Sequence, residues 1–359
     1  MSSEYDVLVL GGAGVDTIVY VPELPLPYAD SYAIRPGIET RAGQTGDFVA
    51  LGLSSLGLRT HHIDTIGDDV PGDLVRAFHR DHGIGFTAVP GGTKRAVNLV
   101  GPDGRRLSLY DDSRSQESDR LPGALLGPLA SASRHAHVSI THPCAFALPL
   151  LREAGLTLST DLHDWDGENP YHEPFAYGAD IVFVSSTALA DREKTMHRIL
   201  ERGRAEVVVA TAGAEGAYML SAAGLVHVPA VTPRGAVVDS NGAGDAFAAG
   251  FLFGRLTGED PDRCALYGAV AGAHACTVPA TATDAVDRTT PALTRAVDEP
   301  SGQGCPAAQV GLSGRTPPRT ACPRGRPRAS PPPRCRRSGR GRPGAGRRRA
   351  PRGRRACPG

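Results

Sequence analysis

In the stretch VVDSNGAGDAF, from Val237 to Phe247, two carboxylates bracket a Gly-Ala-Gly run. Gly242, Ala243 and Gly244 carry no bulky side chain, so their backbone amides can crowd around one point. The small-residue segment that follows Asp245 reads as a helix. Free amides at a helix N-terminus, with the positive end of the helix dipole, favour a bound anion. Asp245 then has two readings. It caps the helix, as Asp often does. Or it takes the proton from an attacking hydroxyl while the amides stabilise charge on a moving phosphoryl group.

Elements that position such a turn are legible on either side. YDVLVLGGAGVDTIVYVPEL predicts a buried strand, a glycine turn and a second strand, and TGDFVALGLSSLGL has the spacing of an amphipathic helix ending near Gly57. RTHHIDTIGDD predicts a strand and turn, and PGDLVRAFHRDHGI a helix opened by Pro71. In TKRAVNLVGPDGRRLSLYDD two short strands flank Pro-Asp-Gly, a hairpin signature. From Arg134 onward HAHVSIT, LTLSTDL, ADIVFVS and AEVVVATAG alternate with helical segments. That pattern indicates right-handed βαβ units and a parallel sheet covered by helices. Val237 and Val238 are expected to form a last strand before the Gly-Ala-Gly turn. The final helices are AGDAFAAGFLFGRL and DRCALYGAVAGAHACTV.

DSNGAGDAFAAGF resembles the Asp-Thr-x-Gly-Ala-Gly-Asp signature of the ribokinase-like sugar kinases, the PfkB carbohydrate kinase family. The resemblance spans roughly residues 5–290. It implies a three-layer α/β fold: a mostly parallel central sheet flanked by helices, with a small antiparallel β lid over the sugar. It implies a kinase domain at 1–298, with the lid formed by about 17–42 and 87–112. By resemblance Asp245 is the catalytic base, and Gly242, Ala243 and Gly244 form the anion hole. Asp239 and Asn241 stand where the family binds a monovalent cation such as K⁺, although Asn241 replaces a usual Thr or small residue. ATP and Mg²⁺ are the implied cofactors, and a sugar with a primary hydroxyl is the implied acceptor.

Further motifs match upstream. GGAGVD, Gly11 to Asp16, looks like the family's Gly-x-x-x-x-Asp, whose Asp binds sugar hydroxyls. A carboxylate can accept two hydroxyl hydrogens, as polyol recognition needs. A dinucleotide-binding turn fits less well, because the third glycine and the long helix are missing. RAGQTGDFVALGLSSLGL resembles the family's Gly-Gly motif and implies Gly43, Gln44 and Asp47 as substrate-binding residues. Ala42 departs from the first Gly and Asp47 from the usual Asn. VVVATAGAEGAYML resembles the strand with Thr-x-Gly-x-x-Gly that borders ATP, matching Thr211, Gly213 and Gly216. Ser186 is the implied ATP-side residue before it, and His274 lies in the late helix that flanks adenine in the family. Ser185 and Ser186 stand where the family carries Asn of Asn-x-x-Glu, tied to magnesium. The acidic loop TDLHDWDGENPYHE follows a strand at the carboxyl edge of the sheet, where ligands bind in such folds, and sets Asp161 near phosphate or Mg²⁺. Lys94 and Arg95, on the lid, are expected to face the phosphates.

Charge divides the chain. Residues 301–359 hold 16 Arg and no Lys, Asp or Glu, so residues 1–300 carry 23 basic and 38 acidic residues, a net of −15. An acidic body repels nucleic acid. The tail from 299 to 359, rich in Arg, Pro and Gly, predicts disorder. Nucleic acid is a partner only for that basic tail, if for any part. The three body cysteines, Cys144, Cys264 and Cys276, form no C-x-x-C pair, so no disulfide framework or thiolate zinc site is expected. No signal peptide or membrane span is legible, which points to the cytoplasm. A homodimer paired through the lid edge is a further expectation from the resemblance. Two other readings stand beside the sugar kinase: a nucleoside kinase of the same fold, and a catalytically weakened sugar sensor, which the missing Asn-x-x-Glu favours.

Overall fold

The computed structural model describes residues 3–111, 116–238, 240–279 and 282–290. All lie in the first of the chain's two units, Met1–Gln303. Asp239 and the Arg-rich tail fall outside the described residues.

A nine-stranded sheet forms the middle layer. In chain order its strands are β1 (Tyr5–Leu10), β4 (Thr60–Ile66), β5 (Gly85–Pro90), β8 (Ser133–Val138), β9 (Thr157–Asp161), β10 (Ile181–Ser185), β11 (Val207–Thr211), β12 (Ala217–Ser221) and β13 (Gly224–Val228). The spatial order is β13-β12-β11-β10-β9-β8-β1-β4-β5. Strands from β11 to β5 run parallel, and β12 and β13 add an antiparallel hairpin at one edge.

Alternation along β1 shows why both faces are covered. Val7 and Val9 enter one core, with α1 (Thr45–Ser55), α7 (Ala243–Thr257) and α8 (Pro261–Ala275). Leu8 and Leu10 enter the other, with α3 (Gly123–Ser131), α4 (His142–Glu153), α5 (Glu173–Gly178) and α6 (Arg192–Arg202). A strand buried on both faces reads as a near-continuous apolar run, which is how Tyr5–Leu10 reads. The helix α2 (Val70–Asp81) is capped by Asp69, whose side chain accepts from Gly72 N, and carries Pro71 in its first turn.

Four strands make the smaller sheet: β2 (Gly14–Tyr20), β3 (Glu39–Ala42), β6 (Lys94–Val100) and β7 (Arg106–Tyr110), in the order β3-β2-β6-β7. The β6–β7 hairpin turns at the Pro-Asp-Gly, as its composition predicts. Two boundaries are corrected. The small sheet begins at Gly14 rather than near residue 17, and β5, which overlaps the start of the expected 87–112 segment, pairs with β4 in the main sheet. The expected strand at Val237–Val238 is absent. Both side chains are largely exposed, and Val238 N donates to Cys276 O at the end of α8. The β-branched pair reads as a strand locally, but its backbone turns to the end of α8 instead.

Candidate active site

The helix α7 starts at Ala243, so Asp245 is the third residue of its first turn. Gly242 caps it with φ +74°, a left-handed backbone that favours glycine. Asp245 is not the N-cap of its own helix; that place is held by Gly242. Its Oδ1 instead accepts a 2.6 Å hydrogen bond from the Thr45 hydroxyl on α1. The cap reading of Asp245 is thereby replaced by one in which a partner 200 residues away holds the carboxylate.

Electrostatics around Asp245 suit a proton acceptor. Burial pushes its carboxyl up to about 6; nearby His163 and the Thr45 hydrogen bond pull it down, and Asp161 pushes it up. Some of its surface stays open to solvent, yet protein surrounds it closely enough for desolvation to be the largest influence. A base must be deprotonated to act, so kcat/KM is expected to fall about tenfold per pH unit below about pH 6. Thr45→Val removes the hydroxyl that favours the charged form. A hydrogen bond to a charged group contributes about 1.5 kcal/mol, so the acidic limb should move up by about one pH unit. A pH–rate profile of the two proteins checks this, and an unmoved limb would remove Asp245 as the group that sets it.

Across the cradle lies Asp161, at the carboxyl end of β9. A methyl group at Gly244 would stand 3.7 Å from its Oδ2, an ordinary contact distance, so Asp161 faces the Gly-Ala-Gly turn. Asp161 accepts from His163 N at 2.8 Å, and His163 adopts φ +52° to turn back over it. Arg106 of β7 donates to the Asn241 side-chain oxygen, tying the small sheet to the Gly-Ala-Gly turn.

Asp16 sits in β2, buried, with its carboxyl pushed up by burial and pulled down chiefly by Arg41. Gln44 Nε2 donates to Asp16 Oδ1 at 3.3 Å. Asn98 of β6 is also close, and its Oδ1 accepts from Ser108 Oγ at 2.6 Å. Gly43 lies beside them with φ +127°, and the Arg41 guanidinium donates to its carbonyl at 2.9 Å. Asp16, Gln44 and Gly43 thus converge on one wall. Asp47 does not line it. Its side chain has no exposed surface, and its Oδ2 accepts from Gly14 N at 3.0 Å and Gln44 N at 3.1 Å. The carboxylate that replaces the usual Asn closes the α1 capping box from below.

On the other side of the turn, Ser186 follows β10 and its buried Oγ has no hydrogen-bond partner. Thr211 ends β11, and Gly213 follows with φ +56° and open space where a side chain would go. Gly216 has a different explanation: a side chain there would come within 2.1 Å of Val228 O, so the β12–β13 hairpin needs the glycine. His274 Nε2 stands 3.4 Å from Asp284 Oδ2. Lys94 does not face the cradle. Its Nζ binds both oxygens of buried Asp64 at 2.9 Å, and Arg95 pairs with Asp69 at 3.6 Å.

Sequence reasoning missed Thr45, Arg106 and Asn98. A Thr at a helix start and an Arg on a hairpin strand carry no signal of their own. Alternation from Ser108, which must face Asn98, could have placed Arg106 and Tyr110 on the inner side of β7.

A family model described as pfkB family carbohydrate kinase matches residues 176–288. The chain is 59% identical over 292 residues to an acarbose 7(IV)-phosphotransferase of Actinoplanes sp., covering 80% of this chain and 97% of that protein. Among solved structures it is similar to a microbiome-derived acarbose kinase: 43% identity, TM-score 0.76, 83% of this chain and all (100%) of that one. It also shares its fold with an Arabidopsis thaliana ribokinase complexed with ribose and ATP, at 18% identity, TM-score 0.68, covering 84% and 100%.

Proposed function

Because the chain belongs to the pfkB family of carbohydrate kinases, we propose that it transfers the γ-phosphoryl group of ATP to a primary hydroxyl of acarbose or a closely similar sugar derivative. The observation that carries this acceptor is the 59% identity over nearly the whole of a protein named for that reaction. The likeness to the acarbose kinase structure supports the same class.

Residues of this chain divide the work. Asp16, with Gln44 and Gly43 beside it, accepts hydroxyl hydrogens of the sugar and fixes its orientation. Asp245 takes the proton of the attacking hydroxyl, and the Thr45 hydroxyl aims its carboxylate. Amides of Gly242 and Gly244 meet the transferring phosphoryl group at the positive end of α7, whereas the Ala243 amide, expected to join them, donates to Ser240 O at 3.3 Å. Thr211, Gly213 and the orphaned hydroxyl of Ser186 line the side where the nucleotide lies. Asp161, a carboxylate facing the cradle, fits the hard-oxygen donor set of Mg²⁺, which when bound offsets negative charge on the phosphates. A K⁺ site at Asn241 fits less well, because Arg106 already donates to its oxygen. The small sheet acts as a lid, with Arg106 joining it to the reacting centre.

ADP release from ATP and Mg²⁺ with acarbose, maltose, ribose, fructose and adenosine as acceptors tests the reading. Turnover with acarbose and little with the others is expected; turnover with adenosine would make it a nucleoside kinase. Binding of acarbose without any turnover would make it a sensor. In the same assay Asp16→Ala is expected to raise KM for the sugar by about 10- to 100-fold, since buried hydrogen bonds to hydroxyls contribute about 1–3 kcal/mol. An unchanged KM would remove Asp16 from the sugar wall. Leu107 and Leu109 are half exposed on the outward side of edge strand β7, which supports pairing between lids. Sedimentation of the full chain should show a dimer. No described helix is long and apolar enough to cross a membrane, and the reading places the enzyme in the cytoplasm, where ATP is available.

A further inference from the structure

Beneath the sugar wall, Asp47, His62 and His79 meet in the core, none more than slightly exposed. Their outer contacts fix their chemistry. His62 Nε2 lies 2.9 Å from Gly11 O, and a carbonyl can only accept, so this nitrogen carries a hydrogen. His79 Nδ1 lies 2.9 Å from Val75 O and carries one for the same reason. In neutral rings the inner nitrogens, His62 Nδ1 and His79 Nε2, therefore present lone pairs. They face each other at 2.9 Å. Asp47 Oδ1 faces both, at 3.6 Å from His62 and 3.5 Å from His79, with no hydrogen-bond partner. With Asp47 ionised, three acceptors converge and no donor lies among them.

A shared proton between the imidazoles would satisfy two of these atoms and leave Oδ1 without a donor, since 3.5 Å is too long for a hydrogen bond. A metal ion would satisfy all three. The point equidistant from atoms separated by 2.9, 3.5 and 3.6 Å lies about 1.9 Å from each, close to the 2.0–2.2 Å of zinc–nitrogen and zinc–carboxylate bonds. The groups behind the ligands are those a metal site needs. Each imidazole donates its outer N–H to a backbone carbonyl, and the other carboxylate oxygen accepts two backbone amides. His79 is further held by stacking on Phe86, with ring centroids 4.0 Å apart.

We propose that Asp47, His62 and His79 bind one structural divalent transition-metal ion, zinc by the character of a His₂-carboxylate donor set. The site is closed from solvent and stands apart from the reacting atoms. Its effect is positional. Asp47 holds the amides of Gly14 and Gln44, and α1 carries Gln44 to Asp16 and Thr45 to Asp245.

The full-length chain, without a polyhistidine tag, should carry about one zinc per molecule by inductively coupled plasma mass spectrometry. His79→Gln should lower that to below about one-tenth. Wild-type protein refolded with zinc should melt at least about 5 °C higher than protein refolded with EDTA. The cobalt-refolded protein should show visible ligand-field bands that zinc displaces. If His79→Gln does not fold, the zinc, EDTA and cobalt comparisons on the wild type decide the matter. Trace metal in the native chain with equal melting in zinc and EDTA overturns the proposal and leaves the shared proton. Full zinc content in a folded His79→Gln also overturns it, by placing the ion elsewhere.

Discussion

Asp245→Asn is expected to lower kcat by about 10³- to 10⁴-fold while ATP affinity is largely kept. The substitution preserves shape and leaves an amide oxygen to accept from Thr45, so α7 and α1 should stay docked. What it removes is the capacity to take a proton. The amide cradle at the start of α7 is backbone, untouched by the change, and should still meet phosphate. Steady-state kinetics with acarbose, paired with calorimetric ATP titration, separate the two effects. Turnover within a few-fold of the wild type would show that the proton leaves by another route. The pH dependence should change in kind as well. The acidic limb near pH 6 should vanish from whatever residual rate remains, because the group that gives rise to it is gone.

Gly46→Ala should be the most damaging small change in stability. A Cβ at Gly46 would lie 2.0 Å from Gly11 O and 3.0–3.1 Å from the carbonyl carbons of Gly11 and Gly12. All of these are backbone atoms, so no side chain can swing away. The first turn of α1 must move off the β1–β2 connection, where Gly46 N now donates to Gly12 O at 2.9 Å. Overpacking against a rigid wall costs about 3 kcal/mol or more, a large share of a domain's stability. Urea denaturation should show that loss. In the protein that remains folded, Gln44 and Thr45 shift together, so both KM for the sugar and kcat should suffer. A loss of stability with unchanged kinetics would mean that α1 can move without carrying the site.

The order of elements was legible because the relevant signals are local. Strands buried on both faces read as apolar runs, and Pro71, Gly57 and Pro-Asp-Gly mark ends and turns. The small sheet, antiparallel except where β2 pairs with β6, was legible from its hairpin, but not where it parts from the main sheet, because β5 and β6 differ in which neighbour they pair with. Of the site, Gly242–Gly244 and Asp245 are contiguous and announce themselves. Thr45 does not, since its role exists only through a contact 200 residues away. Asp47 misled for a physical reason. A carboxylate near a ligand wall looks like a ligand, and only its burial and two amide partners show that it supports the wall instead. Lys94 misled in the same way, as a cation whose counter-ion, Asp64, lies on another strand.

The packing of α1 against α7 has a consequence for how the chain is made. One of the two cores joins residues near the start, such as Val49 and Leu53, to Phe247, Phe251 and Tyr267 near the end of the described chain. Gly52 and Ala249 approach so closely that a methyl on the glycine would lie 2.7 Å from the alanine methyl. On the ribosome, α1 is complete long before α7 has been synthesised. Until then its apolar face has no cover, and Thr45 has no carboxylate to hold. Contacts of such long range make folding slow and leave partly made chains open to association. The same arrangement ensures that a truncated product, lacking α7, cannot spend ATP.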